Sequence, residues 1–361
     1  MFAVVWPIVS VVVLNFNGKK FLGRCLDSVL KSDYPNFEVI VVDNASTDGS
    51  IEFVRSNFGQ NNNLRIMHND RNFGFAEGNN IGARAAEGNY VVFLNNDTEV
   101  DHMWLKELIT VMESDKKIGA AQSKLLLFDR KTIDSTGDFI NFYGRGWMRG
   151  HGEQDKGQYN KVDEVFSTRG AAMIVKKHIL EGDYFDSTFF MVYEDIDLSW
   201  RIRLCGYKVM FVPKSIVYHF GSGTRKEFQR PAQSYYYNIR NGLFMLIKNY
   251  DLKNLFSSVI IYIMIELTLF LISVPFPSKK AYNLSRAKAL LCVLLNFPCV
   301  WKERLRVQYC VRKISDDQIK KLMIKDNSPF LDVIWNLFYK NSVDYNHFIN
   351  EQVYLKNKWV S

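Results

Sequence analysis

Four short apolar runs, at residues 8–14, 37–42, 64–67 and 90–94, alternate with segments whose apolar residues recur every three or four positions. The first run, IVSVVVL, is dominated by β-branched residues and predicts a strand covered on both faces. After it Phe21, Leu22, Cys25, Leu26, Val29 and Leu30 fall on one helical face, and Tyr34-Pro35 closes the segment. A second helix runs through Ile51 and Val54, and a helix of small residues covers 76–87. Strand and helix in alternation predict an α/β fold with a Rossmann-like, mostly parallel sheet flanked by helices. In such sheets ligands bind beyond the carboxyl ends of the strands. Three polar clusters fall there: Asn15/Asn17, Asp43/Asn44 and Asn95/Asp97. One such cluster is an ordinary turn, whereas three on one rim predict a site.

The middle of the chain reads as mixed α/β. Residues 120–128 and 167–175 predict strands, the polar, glycine-rich stretch 129–160 a loop, and 208–212 and 216–219 two further strands. Between them lies FFMVYEDIDLSWRIRLCG, residues 189–206, in which Glu194, Asp195 and Asp197 crowd the start of a helix that Gly206 ends. Acidic side chains in a first turn satisfy orphan N–H groups and the helix dipole, which is one reading of all three. The other is a general base: a carboxylate beside a like charge, behind an aromatic run and on a rigid mount. Asn95 and Asp97 likewise read either as a turn or as two oxygen donors pointing the same way from an extended segment, as a hard divalent cation requires. His219, at a strand end, is either an ordinary buried histidine or a third ligand.

Charge is unevenly spread. The net charge is +8, and residues 276–325 alone hold twelve basic against three acidic side chains. Beside apolar runs this predicts an anionic membrane surface as partner and no nucleic acid. Residues 255–274 are apolar for twenty positions, thirteen of them Leu, Ile, Val or Phe. At roughly −0.3 to −0.6 kcal/mol each these can absorb the ~3 kcal/mol of a central Glu266, so a span is open. The second run, 287–301, is short for a crossing and is flanked by Lys302, Arg304 and Arg306. Basic residues after the first run place this side in the cytoplasm, and the N-terminal run, without a basic leader or cleavage site, reads as a strand. A hairpin or interfacial helices at the cytoplasmic face of the cell membrane then fit better than one simple span, with a buried core helix as the plain alternative. Five cysteines without CxxC spacing point to a reduced compartment and no zinc site.

In order, VSVVVLNFNG, VVDNASTDGS, NFGFAEGNN, FLNNDTEV, RGAAMIVKK, FFMVYEDIDLSWRIRLCGY and YYYNIRN resemble the motifs of glycosyltransferase family 2, and in particular its rhamnosyltransferase-like branch, over residues 9–249. The resemblance implies a GT-A fold and an inverting, metal-assisted transfer from a nucleoside-diphosphate sugar, dTDP- or UDP-linked, to a lipid-linked or saccharide acceptor. It implies that Asn15 and Asp43 hold the base and ribose, and that Asn72, Gly74 and Asn79 line the donor cleft. It further implies that Asp97, Asn95 and His219 hold Mg²⁺ or Mn²⁺ on the diphosphate, that Arg225 approaches it, and that Asp195, beside Glu194, is the general base.

Two departures follow. Asn95 is neutral where many relatives are acidic, which predicts weaker metal binding, and the Gln-x-x-Arg-Trp signature of processive synthases is absent from QRPAQSYYYNIRNG, which predicts one sugar per encounter. A non-catalytic nucleotide-sugar-binding or scaffold protein of the same fold is the competing reading. Nucleotidyl transfer and dinucleotide-dependent oxidoreduction both lack their glycine-rich loop after the first strand. The expected organisation is a transferase domain at 1–250, an apolar and basic membrane-associated helical region at 251–310, and a helical tail at 311–361.

Overall fold

The computed structural model describes residues 6–180, 184–221 and 231–325. The predicted alternation is present: β1 (Val9–Asn15), α1 (Lys19–Leu30), β2 (Phe37–Asp43), α2 (Ser50–Phe58), β3 (Leu64–His68), α3 (Gly74–Ala85) and β4 (Tyr90–Asn95). β1 pairs in parallel with both β2 and β4, and β2 with β3, in the order β3-β2-β1-β4. Val9, Val11, Val12 and Val13 of β1 are wholly buried, as a strand covered on both faces must be.

Beyond β4 the sheet changes character, and it is mixed where the sequence reading has it mostly parallel. After β5 (Thr98–Val100), α4 (Trp104–Ser114) and β6 (Ile118–Leu127) come three short strands, β7 (Ile133–Ser135), β8 (Asp138–Ile140) and β9 (Gly146–Met148). They occupy the stretch read as loop. Three-residue strands show no periodicity; β7 is held by pairing with β6, while β8 and β9 form their own hairpin. β10 (Asp163–Glu164) and β11 (Ala172–Lys176) follow, and β11 runs antiparallel between β4 and β6. The carboxylate stretch forms α5 (Glu194–Leu204), ended by Cys205 and Gly206, whose φ of +87° suits glycine. The two runs read at 208–212 and 216–219 are one strand, β12 (Lys208–His219), irregular between Val212 and Ile216.

The C-terminal part is helical. α6 (Pro231–Asn249) packs on α5 and on the three helices that follow, α7 (Leu252–Ser273), α8 (Lys280–Leu295) and α9 (Phe297–Arg306). α7 is long and apolar enough to cross a membrane, while α8 and α9 divide the second apolar run at a 63° bend. Glu266 on α7 does not face outward: it is 3% exposed and accepts from Arg145, Arg286 and Tyr235 at 3.1, 2.9 and 3.2 Å. The opposite side of α7 carries Phe256, Ile260, Met264, Leu267 and Leu271 in solvent, and α8 adds Leu284, Leu291, Leu294 and Leu295. The helical tail is described through Asp316–Lys320, and the remainder of that expectation lies outside the described residues.

Candidate active site

At the carboxyl ends of β1 and β2 the side chains interlock. Asn15 Nδ2 donates to Asp43 Oδ1 at 2.9 Å, and Asp43 Oδ2 accepts from Ser46 N and contacts His68 Nδ1, each at 3.0 Å. Asn96 Nδ2 reaches Asn15 Oδ1 at 2.7 Å, joining the rim of β4 to that of β1. Asn96 belongs to a quoted motif but received no role from sequence, because its partner lies 81 residues away. The buried pair Asn15–Asp43 is therefore fixed before any ligand arrives, which suits a base or ribose site that needs preorganised acceptors.

Asn72 Oδ1 caps Gly74 N at 2.8 Å and accepts from Asn44 at 3.3 Å. Gly74 has φ +81°, and a Cβ there would lie 2.5 Å from the Phe190 ring. That contact, with the Phe75 N–H donating to Phe190 O at 2.7 Å, presses the start of α3 against the chain leading into α5. Asn79 is buried and spends its amide on Phe75 O at 2.9 Å inside α3.

The third cluster draws in distant segments. His219 Nε2 lies 3.3 Å from Asp97 Oδ1 and 3.5 Å from Asn95 Nδ2, while its Nδ1 lies 2.8 Å from Asp134 Oδ2. Burial alone would pull the imidazole down, but its bonds to Asp134 and Asp97 outweigh that and lift it to about 9. Asp134 is buried too, and its bonds to His151 and His219 hold it well below the usual carboxylate range despite the burial. Among the described residues no three His, Cys, Asp or Glu side chains converge on one point. A divalent ion here would take the Asp97 carboxylate, the His219 imidazole and the Asn95 amide, and diphosphate oxygens would complete its shell. That mixed oxygen and nitrogen donor set fits Mg²⁺ or Mn²⁺.

The carboxylate helix sits next to this cluster through one short loop. Asn95 N donates to Ala171 O at 3.0 Å, and Gly170 N donates to Asp195 Oδ2 at 3.0 Å. Arg169, a quarter exposed in the same loop, lies 3.5 Å from Asp138 Oδ2, and Asp138, Asp134, Asp195 and Glu194 together raise it against the opposing desolvation. Asp138 is itself pushed up to about 6 by burial, with Arg169 opposing. The three acidic residues of α5 part company here. Asp197 is wholly buried and ion-paired with Arg201 at 2.9 Å and Lys248 at 3.1 Å, so it is structural. Asp195 and the buried Glu194 stay with the loop. Arg169, Asp138, Asp134 and His151 carry no sequence signal for this position beyond the motif that contains Arg169. Arg225 lies outside the described residues.

A sheet whose parallel half carries a polar rim, extended by a mixed half that brings a carboxylate helix to that rim, is the GT-A fold. In overall form the chain is similar to GalNAc-T7 crystallised with UDP, GalNAc and Mn²⁺, with a TM-score of 0.57 and 16% identity over 86% of this chain and 59% of that one. Residues 10–179 match the family model Glycosyl transferase family 2. Curated relatives include the glycosyltransferase GlyG of Streptococcus pneumoniae serotype 4, 34% identical over 31% of this chain and 37% of that protein. Another is the O-antigen biosynthesis protein RfbC of Myxococcus xanthus, 27% identical over 64% of this chain and 18% of that protein. The chain thus spans well under half the length of these relatives.

Proposed function

We propose that this chain is an inverting, metal-assisted glycosyltransferase that moves one sugar from a nucleoside-diphosphate sugar to a hydroxyl of a lipid-linked or cell-surface glycan. The observation that carries the reading is the loop 169–171, which touches the Asn95 rim on one side and Asp195 on the other. Displacement at an anomeric carbon needs a departing diphosphate on one face and an acceptor hydroxyl losing its proton on the other. Asn15 and Asp43 hold the nucleoside, Asn72, Gly74 and Asn79 shape the cleft, and Asp97, Asn95 and His219 hold the ion. When bound, the ion neutralises charge gathering on the departing diphosphate. Asp195 accepts the acceptor's proton as its oxygen attacks, and Glu194 beside it raises the pair's proton affinity or orients the base. The donor is a UDP- or dTDP-sugar, and dTDP-rhamnose belongs in the test panel with UDP-hexoses.

The same reading places the enzyme at the cytoplasmic face of the cell membrane, with residues 1–250 as transferase domain and 251–310 as the membrane-associated part. Glu266 is turned into the protein and the apolar side of α7 into solvent, which favours helices lying in the interface over a span. The basic surplus of residues 276–325 complements an anionic lipid surface.

The test is a donor-hydrolysis screen of the purified chain with Mg²⁺, Mn²⁺ or chelator, reading released nucleoside diphosphate with and without lipid-linked acceptor. Metal-dependent release from one donor, lost in Asp97→Ala, is the expected result. Asp195→Asn should abolish transfer yet keep donor binding, and retained turnover would remove Asp195 from the base role. No release and no calorimetric binding across the panel would favour the scaffold reading.

A further inference from the structure

β7 is the short strand that the sequence hides, and it delivers one buried carboxylate to the metal cluster. Asp134 is 3% exposed and uses both carboxylate oxygens on imidazoles: Oδ2 lies 2.8 Å from His219 Nδ1, and Oδ1 lies 3.4 Å from His151 Nδ1. His151 Nδ1 also meets the Asp134 backbone carbonyl at 2.9 Å, which clamps the carboxylate from its far side.

Imidazole ligates a metal through a nitrogen that carries a lone pair, so once an entering ion displaces the proton from one nitrogen of the ring, the remaining proton must sit on the other. At His219 the two nitrogens face rival acceptors. Nε2 faces Asp97, which taken alone would draw the ring N–H to itself and leave no lone pair on that side. Nδ1 faces Asp134, at the shorter distance. The geometry points to Asp134, clamped by His151, as the positioning residue that holds the proton on His219 Nδ1 and so presents Nε2 as a ligand between Asp97 and Asn95. A carboxylate behind a ligating histidine fixes both the tautomer and the ring orientation. The inference rests on the proposed metal-assisted transfer, since it assigns no role without an ion at Asp97.

The experiment titrates Mn²⁺ into the full chain with UDP present and reads free ion by electron paramagnetic resonance. It also records the nitrogen modulation of the bound ion's spin echo, the mark of an imidazole nitrogen on the metal. Asp134→Asn should weaken Mn²⁺ binding by about 10–100-fold and diminish the nitrogen modulation. In a His219→Ala background the same substitution should cost nothing further, a coupling that a general structural role would not produce. His151→Gln, at a half-exposed position, tests the clamp without disturbing the core and should cost a few-fold; it also serves if Asp134→Asn does not fold. Wild-type affinity and modulation in both Asp134→Asn and His151→Gln, or equal losses with and without His219, would overturn the inference. Failure of the wild type to bind Mn²⁺ with UDP would instead strike the proposed function itself.

Discussion

Arg169, its side chain a quarter exposed, is a cation whose charge is shared by carboxylates on two sides, Asp138 and Asp134 beside the His219 cluster and Asp195 and Glu194 at the start of α5. Because burial pushes Asp138 up to about 6, the folded protein keeps this proton to higher pH than the unfolded chain does. The sign follows: folding binds a proton between about pH 4 and 6, so this group adds stability as pH falls through 6 and opposes folding above it. Thermal unfolding from pH 4.5 to 7 should therefore show wild type gaining on Asp138→Asn as pH falls, and parallel curves would remove the shift. A second contrast separates neighbours. Asp197→Asn leaves Arg201 and Lys248 short of a buried partner and should cost roughly 3–5 kcal/mol in urea unfolding. Asp195 accepts from Gly170 N and Ile196 N on its two oxygens, so Asp195→Asn, with one acceptor oxygen, loses one of these bonds and should cost only about 1 kcal/mol. In the sequence these carboxylates look alike. The Arg201 partner, four residues on, is legible; Lys248 and Gly170, at long separation, are not, and burial alone distinguishes the structural acid from the candidate base.

At the level of elements, the junction of α3 with the approach to α5 ties the segment that begins at Asn72 to the carboxylate helix. Gly74→Ala places a methyl group against Phe190 and asks alanine to hold φ +81°. A cost of about 1–2 kcal/mol from the backbone alone is expected, and the displaced Phe190 segment should lower kcat more than it raises the donor KM. A loss confined to KM would show that α5 is positioned independently of α3. The alternation β1–α1–β2–α2–β3–α3–β4 is legible because β1, β2 and β4 are long enough to show runs of β-branched residues and the helices between them long enough to show their period. β7, β8 and β9 are three residues each and exist through pairing, so no local pattern announces them. That is why the Asp43 and Asp97 rims were foreseeable from sequence while Asp134 and His151 were not. β11 is legible as a strand, yet its antiparallel placement between β4 and β6 is a property of the whole sheet.

For the whole molecule, the outward side of α7 and α8 sets how the chain meets a surface. Leu271 is 70% exposed, Phe256 64% and Ile260 57%, on the side of α7 opposite Glu266. Flotation with vesicles containing phosphatidylglycerol should carry the protein, and neutral vesicles should carry less of it. Ile260→Glu with Leu271→Glu should reduce recovery by tenfold or more, and alkaline carbonate should strip the wild type from the vesicles. Retention through carbonate would show a span. Glu266→Ala should cost roughly 3–5 kcal/mol, because Arg286 would be left buried without its carboxylate. The same clasp bears on how the protein is born. Arg145 and Tyr235 precede α7 in the chain, whereas Arg286 follows it. As α7 leaves the ribosome, two of the groups that hold Glu266 already exist. The clasp around Glu266 is therefore complete only once α8 has been made, and a chain truncated before Arg286 would hold that carboxylate by two of its three partners.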